Sequence, residues 1–258
     1  MLRETNVDAA YLDEYQRWSA DLLIGSIGEA GTVGDSGLTP LAYCIEGIIE
    51  ETAEVVETTL EYDRMSTVLG GETPDEHDAF ELLTHRERHK KEFGDVSWYG
   101  AATLSILGVN LSDQFERSVL SKDAKDNSSL PSLLVNNEAH NGFVLINVLD
   151  GLRSSARRLY RTEPLTIIHI DGSMHSVSNP EEVLRRKILL GRDDRIGLTQ
   201  ELIRSIGDYF VTANDTLPKL FDEDTTLETI LLANQSKIEK RIKDKTIYKV
   251  SGVGGDDR

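Results

Sequence analysis

Apolar residues recur at the spacing of a one-faced helix along most of this chain. The first such segment runs from about Tyr11 to Ile27. The stretch from Gly28 to Gly37 is rich in Gly, Asp and Ser, which predicts a loop. Thr39-Pro40 opens the next helix, with Thr39 as cap and Pro40 at its first position, and the pattern holds to about Met65. "GGETPDE" interrupts it. A third helix is predicted over Asp78 to Leu107, and after the break "GVNLSD" a shorter one reaches about Asp123. "KDNSSLPS" reads as a linker. Beyond it, "NGFVLINVLDGLRSSARRLY" is an amphipathic helix. "LTIIHIDGSMHSVS" carries two β-prone runs around Asp171-Gly172, which predicts a small hairpin near 165–178. Helical spacing returns over Pro180–Leu189, Thr199–Leu220 and Thr226–Lys243. The expected fold class is all-α, with that one hairpin.

The two halves resemble each other. "IIEETAE" at 48–54 aligns with "VLDGLRS" at 148–154, and "EFGDVSWYGAATLSIL" at 92–107 with "SIGDYFVTANDTLPKL" at 205–220. Both copies keep Gly-Asp and a later Thr-Leu. The acids do not repeat: Glu50, Glu51 and Glu54 face Asp150, Gly151 and Ser154, and Glu92 faces Ser205. Only Asp95 keeps its counterpart, Asp208. A helical bundle built as an internal pseudo-dimer is expected, with residues 1–125 holding the chemistry. Residues 126–258 form a degenerate copy that buries the Val144, Ile146, Val148 and Leu149 region.

The chain has 258 residues, 39% of them hydrophobic, enough for a sizeable core. Its net charge of −17 argues against broad contact with a nucleic-acid backbone. No apolar run approaches the ~20 residues needed to cross a bilayer, and "MLRETNVDAAYLDEYQRW" is too acidic for a secretory signal. Cys44 is the sole cysteine, which fits a reducing, cytoplasmic setting.

Charge changes the picture most at the second and third helices. On the second, Ile45, Ile48, Ile49, Thr52, Val55 and Val56 form the apolar stripe, with Glu51 and Glu54 along one edge. On the third, Phe93, Val96, Gly100, Leu104 and Leu107 face the core, and Glu92 and Asp95 neighbour each other on one edge. Two such edges can face across an antiparallel helix pair. Each like-charge contact at ~4 Å then costs roughly 1 kcal/mol in water and about 4 kcal/mol at an effective dielectric near 20. A hard divalent cation reverses that sign, and Mg²⁺ leaves coordination positions for waters and phosphates. Taken alone, "EETAE" is equally a solvated helix face. "HRERH" spaces His85 and His89 as zinc ligands can be, but it lacks the glutamate of a zincin motif, and both read as surface histidines.

Glu50-Glu51-Thr52-Ala53-Glu54 followed by Glu92-Phe93-Gly94-Asp95 resembles the signature of the MazG-type all-α nucleoside triphosphate pyrophosphohydrolases. "LDEYQRW", "LGVNLSD", "ANQSKIEKR" and "SGVGGDDR" resemble that family's flanks. About a hundred residues stand between the two matching stretches, where the degenerate copy would replace a partner chain. The resemblance implies Mg²⁺-dependent (or Mn²⁺-dependent) cleavage of a nucleoside triphosphate to monophosphate and pyrophosphate. It implies Glu51, Glu54, Glu92 and Asp95 as metal ligands and Glu50 as the orienter or base for water. Tyr99 becomes a base or sugar contact, or else a core tyrosine. Lys237, Arg241 and Arg258 become candidates for triphosphate contact, or else a basic helix end favoured by the dipole. The rival expectations are a non-catalytic nucleotide sensor on the same fold and an acidic interaction protein without a ligand. Self-association stays open.

Overall fold

The computed structural model describes residues 7–28, 31–69, 76–126, 138–161, 166–168, 174–176 and 192–244. Seven helices lie among them. They are α1 (Ala9–Gly25), α2 (Pro40–Leu69), α3 (Glu76–Ile106), α4 (Leu111–Asp126), α5 (Glu138–Tyr160), α6 (Arg192–Leu220) and α7 (Leu227–Lys243). The all-α expectation holds. Strands β1 (Thr166–Ile168) and β2 (Met174–Ser176) pair antiparallel, with Ile167 opposite His175. The turn at Asp171-Gly172 and the expected helix over Pro180–Leu189 lie outside the described residues. None of the described helices is long and apolar enough to cross a membrane.

Helix ends follow their sequence signals. The Asp8 side chain accepts from the Ala10 amide at 2.9 Å to cap α1. At the C-terminus of α3, Gly108 has φ 68°, and the amides of Val109 and Gly108 donate to the carbonyls of Leu104 and Ser105. That left-handed stop requires glycine. Asn110 then caps α4 by accepting from the Asp113 amide at 3.0 Å. Gln16 of α1 clasps this joint, donating to the Val109 carbonyl and accepting from the Leu111 amide, each at 2.7 Å. Thr226 and Thr229 form a reciprocal capping box at the start of α7. α6 begins at Arg192, earlier than the Thr199 expected from periodicity.

α2 packs along α3, α5 along α6, and the two hairpins meet through α2 and α5. α1 lies against α3 and touches α4. The remaining helices cross over: α4 packs on α6, and α7 packs on α3. One core runs through all seven, from Tyr15 and Ile48 through Phe93 and Leu149 to Tyr209 and Leu231. Each such side chain contributes about 1.5–3 kcal/mol by leaving water. Tyr209 of α6 donates its hydroxyl to the Phe93 carbonyl of α3 at 2.9 Å, and the two rings stack 6.2 Å apart. On α5 the buried stripe is Leu145, Leu149, Leu152 and Ala156. Val144, Ile146 and Val148 are half-buried beside it, so the inward face is rotated from the expected one.

His89 departs from its expected place. It is buried, with Nε2 2.8 Å from Thr59 Oγ1 and its ring 5.0 Å from both Phe93 and Phe221. Burial lowers its pKa from 6.5 to about 3. His85 lies elsewhere, 3.4 Å from Glu61.

Candidate functional site

The face that α2 and α3 turn toward each other carries the acids. On α2, Ile48, Thr52 and Val55 point into the core, which leaves Glu51 on the flank nearest α3. On α3, Phe93 and Val96 are buried, and Glu92 and Asp95 stand one turn apart on the flank between them and α2. Glu51, Glu92 and Asp95 each offer a carboxylate oxygen within 4.8 Å of the others. Glu92 is only 5% exposed. Of the proposed ligands, Glu54 stays outside this close set, with an exposed side chain one turn along α2. Glu50 is also exposed and stands among Glu46 and Glu54 rather than with the three.

Burial, and after it crowding, shows in the proton affinities. The Glu51 carboxyl is pushed up from 4.5 to about 9, first by burial, then by the charges of Asp95, Glu92 and Glu54. Burial also raises Glu92, with Asp95 and Glu54 adding to it. Glu50 is raised by burial and by Glu46 and Glu54.

α7 closes the site from the far end of the chain. Asn234 donates from Nδ2 to Asp95 Oδ1 at 2.7 Å and accepts from the Tyr15 hydroxyl at 3.1 Å. Lys237 donates to both Asp95 oxygens, at 2.6 Å to Oδ2. Lys237 therefore sits on a proposed metal ligand rather than apart from the acids. Gly94 permits this approach, because a Cβ there would stand 2.7 Å from Asn234 Cβ. Gly207 does the same for the other crossing, where a Cβ would meet Ser118 and Gln114 of α4 at 2.6 and 2.7 Å. On the second half, Ser205 hydrogen-bonds Ser155 at 2.9 Å where the first half has Glu92.

Beside the acids lies a pocket of ≈110 Å³. Glu51 and Asp95 line it together with Tyr43, Trp98, Tyr99 and Arg241. Tyr99 is half-buried and lines this pocket. Its hydroxyl is raised well above its ordinary value by burial, then by Tyr43 and Glu51. Its ring lies directly over Gly47 of α2. A Gly47→Ala Cβ would stand 2.4 Å from that ring. The substitution is expected to destabilise the fold by about 1–3 kcal/mol through overpacking, although alanine is the better helix former. Chemical denaturation checks this, and a stabilised variant would mean that Tyr99 is free to move. A larger recess of ≈390 Å³ is lined by Lys237, Lys90 and Lys91.

Arg258 lies outside the described residues. Asn234, Tyr43 and Trp98 were not singled out from the sequence. Asn234 left one legible sign, a polar residue four positions from both Ile230 and Ile238 on the buried face of α7. Among the described residues, the set Glu51, Glu92 and Asp95 is the acid group that converges closely enough to hold an ion. No protein-family model, curated protein or solved structure matches this chain, so what the site can do is read from its own residues.

Proposed function

We propose that the chain is a Mg²⁺-dependent nucleoside triphosphate pyrophosphohydrolase of the MazG type. The observation that carries this reading is the convergence of Glu51, Glu92 and Asp95 in a half-buried cleft. Three carboxylates held within reach of one another suit a hard cation with oxygen ligands, and Glu51 is raised first by burial and then by its acidic neighbours. Glu54 stands ready as a fourth ligand from the exposed edge.

When bound, the cation screens the phosphate charge and acidifies the attacking water. The chain's own groups do the rest. A water's oxygen bonds to the α-phosphorus as its proton passes to a carboxylate; the resemblance gives that role to Glu50, which stands with Glu46 and Glu54 next to Glu51 rather than within the three-acid set. The bond from that phosphorus to the bridging oxygen breaks in line, and pyrophosphate leaves with the electron pair. Lys237 and Arg241, with Arg258 of the tail, supply cations for the triphosphate, and Tyr99 packs on base or sugar. The reciprocal crossings of α4 onto α6 and α7 onto α3, each over the glycine of a Gly-Asp pair, support a pseudo-dimer in which the second half is scaffold. On this reading the protein works in the cytoplasm, without nucleic acid or membrane, and a second copy is not required.

One observation favours a sensor that does not turn over: Lys237 already neutralises Asp95. A panel of nucleoside triphosphates with pyrophosphate detection separates the two readings. Release that depends on Mg²⁺ or Mn²⁺ is expected. Tight nucleotide binding without release would establish the sensor instead.

A further inference from the structure

One side chain already brings positive charge to the three acids. The Lys237 ammonium donates to both oxygens of Asp95, at 2.6 Å to Oδ2, and its charge also bears on Glu51 and Glu92. Two residues of α7 hold Asp95, and they are themselves held differently. Asn234 is 3% exposed, and both ends of its amide are engaged, one by Asp95 and the other by Tyr15. Moving it would strand a buried hydroxyl, which is costly. The Lys237 side chain is 20% exposed, and it lines the ≈390 Å³ recess as well as meeting Asp95. Among the described residues Asp95 is its one hydrogen-bond acceptor. An ammonium on a flexible four-carbon stem is compact and strongly hydrated, so it can exchange a carboxylate for the water of an open recess. A divalent ion changes the balance at Asp95. The ammonium stands at both oxygens that an ion would use, it offers a metal no lone pair, and like charges at that range repel.

We propose that Lys237 is a built-in counterion, a latch that occupies Asp95 while the site is ion-free and that an entering divalent cation must expel into the recess. The proposal rests on the metal-dependent reading given above and adds the regulation of that site. The Lys237–Asp95 contact is then the resting state of the site, and the ammonium that the ion frees becomes available to phosphate.

The probe is Mn²⁺ alone, added to the full chain without nucleotide, with free Mn²⁺ read by electron paramagnetic resonance. Lys237→Met keeps the apolar stem and removes the competitor. It is expected to bind Mn²⁺ roughly tenfold more tightly than the unaltered protein, the size of one charge-assisted contact. Lys240→Met removes the same charge from an exposed position one turn along α7, and is expected to bind within about twofold of the unaltered protein because solvent screens it. A lysine that only held Asp95 in position would give the opposite sign, since its loss would weaken the site. The second measurement needs no variant. A brief pulse of acetic anhydride, read by mass spectrometry of the peptides, is expected to label Lys237 faster with Mn²⁺ than in chelator, and Lys240 equally in both. Unchanged or weaker Mn²⁺ binding by Lys237→Met, an equal gain in Lys240→Met, or Lys237 labelling that Mn²⁺ leaves unchanged would overturn the proposal, and the labelling decides if Lys237→Met does not fold. Pyrophosphate release by the unaltered protein alongside any of those results leaves the hydrolase reading standing. Tighter Mn²⁺ binding by Lys237→Met with no release from any nucleoside triphosphate does the reverse, and no Mn²⁺ binding by any form removes both.

Discussion

Asp95→Asn is expected to lower Mg²⁺-dependent pyrophosphate release by more than about a hundredfold, while Asp208→Asn stays within about twofold of the unaltered protein. The two residues occupy matching places after matching glycines, so the pair controls for helix position and local backbone. They differ in company. Asp95 shares oxygens within 4.8 Å with Glu51 and Glu92, and both Lys237 and Asn234 hold it in place. The residue matching Glu92 beside Asp208 is Ser205, and it hydrogen-bonds Ser155. An outer-shell partner of a metal ligand already contributes 10–100-fold, so a direct ligand is expected to exceed that. Circular dichroism must show both variants folded. Equal losses in the two would end the idea that one half carries the chemistry.

The second large effect concerns pH in the absence of divalent cation. The melting temperature is expected to fall gently from about pH 4.5 to 6.5 and more steeply from about pH 6.5 to 9. Glu51 binds its proton more tightly when folded, with a carboxyl pKa of about 9 against 4.5. Its contribution to stability is therefore full below pH 4.5, declines above it, and is gone beyond pH 9. His89 acts in the opposite direction. Its pKa of about 3 against 6.5 means that the folded state loses stability as pH drops below 6.5. The slopes of Glu51 and His89 offset between pH 4.5 and 6.5, where the raised Glu92 and Glu50 add a decline of their own, and above 6.5 only the acids' decline remains. Mg²⁺ is expected to restore the alkaline side, because ligation uses the ionised carboxylate, and to release a proton on binding near neutral pH. Melting curves in chelator, with and without added Mg²⁺, read this directly, and Glu51→Gln should remove the alkaline decline. A melting temperature that holds or rises from pH 6.5 to 9 in chelator contradicts the crowded-carboxylate account.

Spacing made Glu51, Glu92 and Asp95 legible, because a helix converts three positions into one turn and the apolar stripe fixes which flank they occupy. Periodicity located the helices for the same reason, and it failed where the local pattern was ambiguous. On α5, Val144, Ile146 and Val148 are as apolar as Leu145 and Leu152, and only the neighbouring helices decide which of them turn inward. His89 was misplaced because its partners, Thr59 and Phe221, are distant in sequence. The same limit hid Asn234 and Trp98. Both gain meaning from what other helices bring to them, and a single segment does not encode that.

The crossing of α7 onto α3 has a consequence for biosynthesis. Asp95 and Lys237 are 142 positions apart. At ~5–20 residues per second, a ribosome needs roughly 7–28 s to travel from one to the other. For that interval the nascent chain carries its acids on a helix hairpin whose covering helix has not been made. The contacts that complete the cleft are also among the most distant in the chain, and such contacts form late because their loop closure is slow. A partly synthesised or prematurely terminated chain thus has the acids without Asn234, Lys237 or one wall of the pocket, and full-length synthesis acts as the checkpoint for the site.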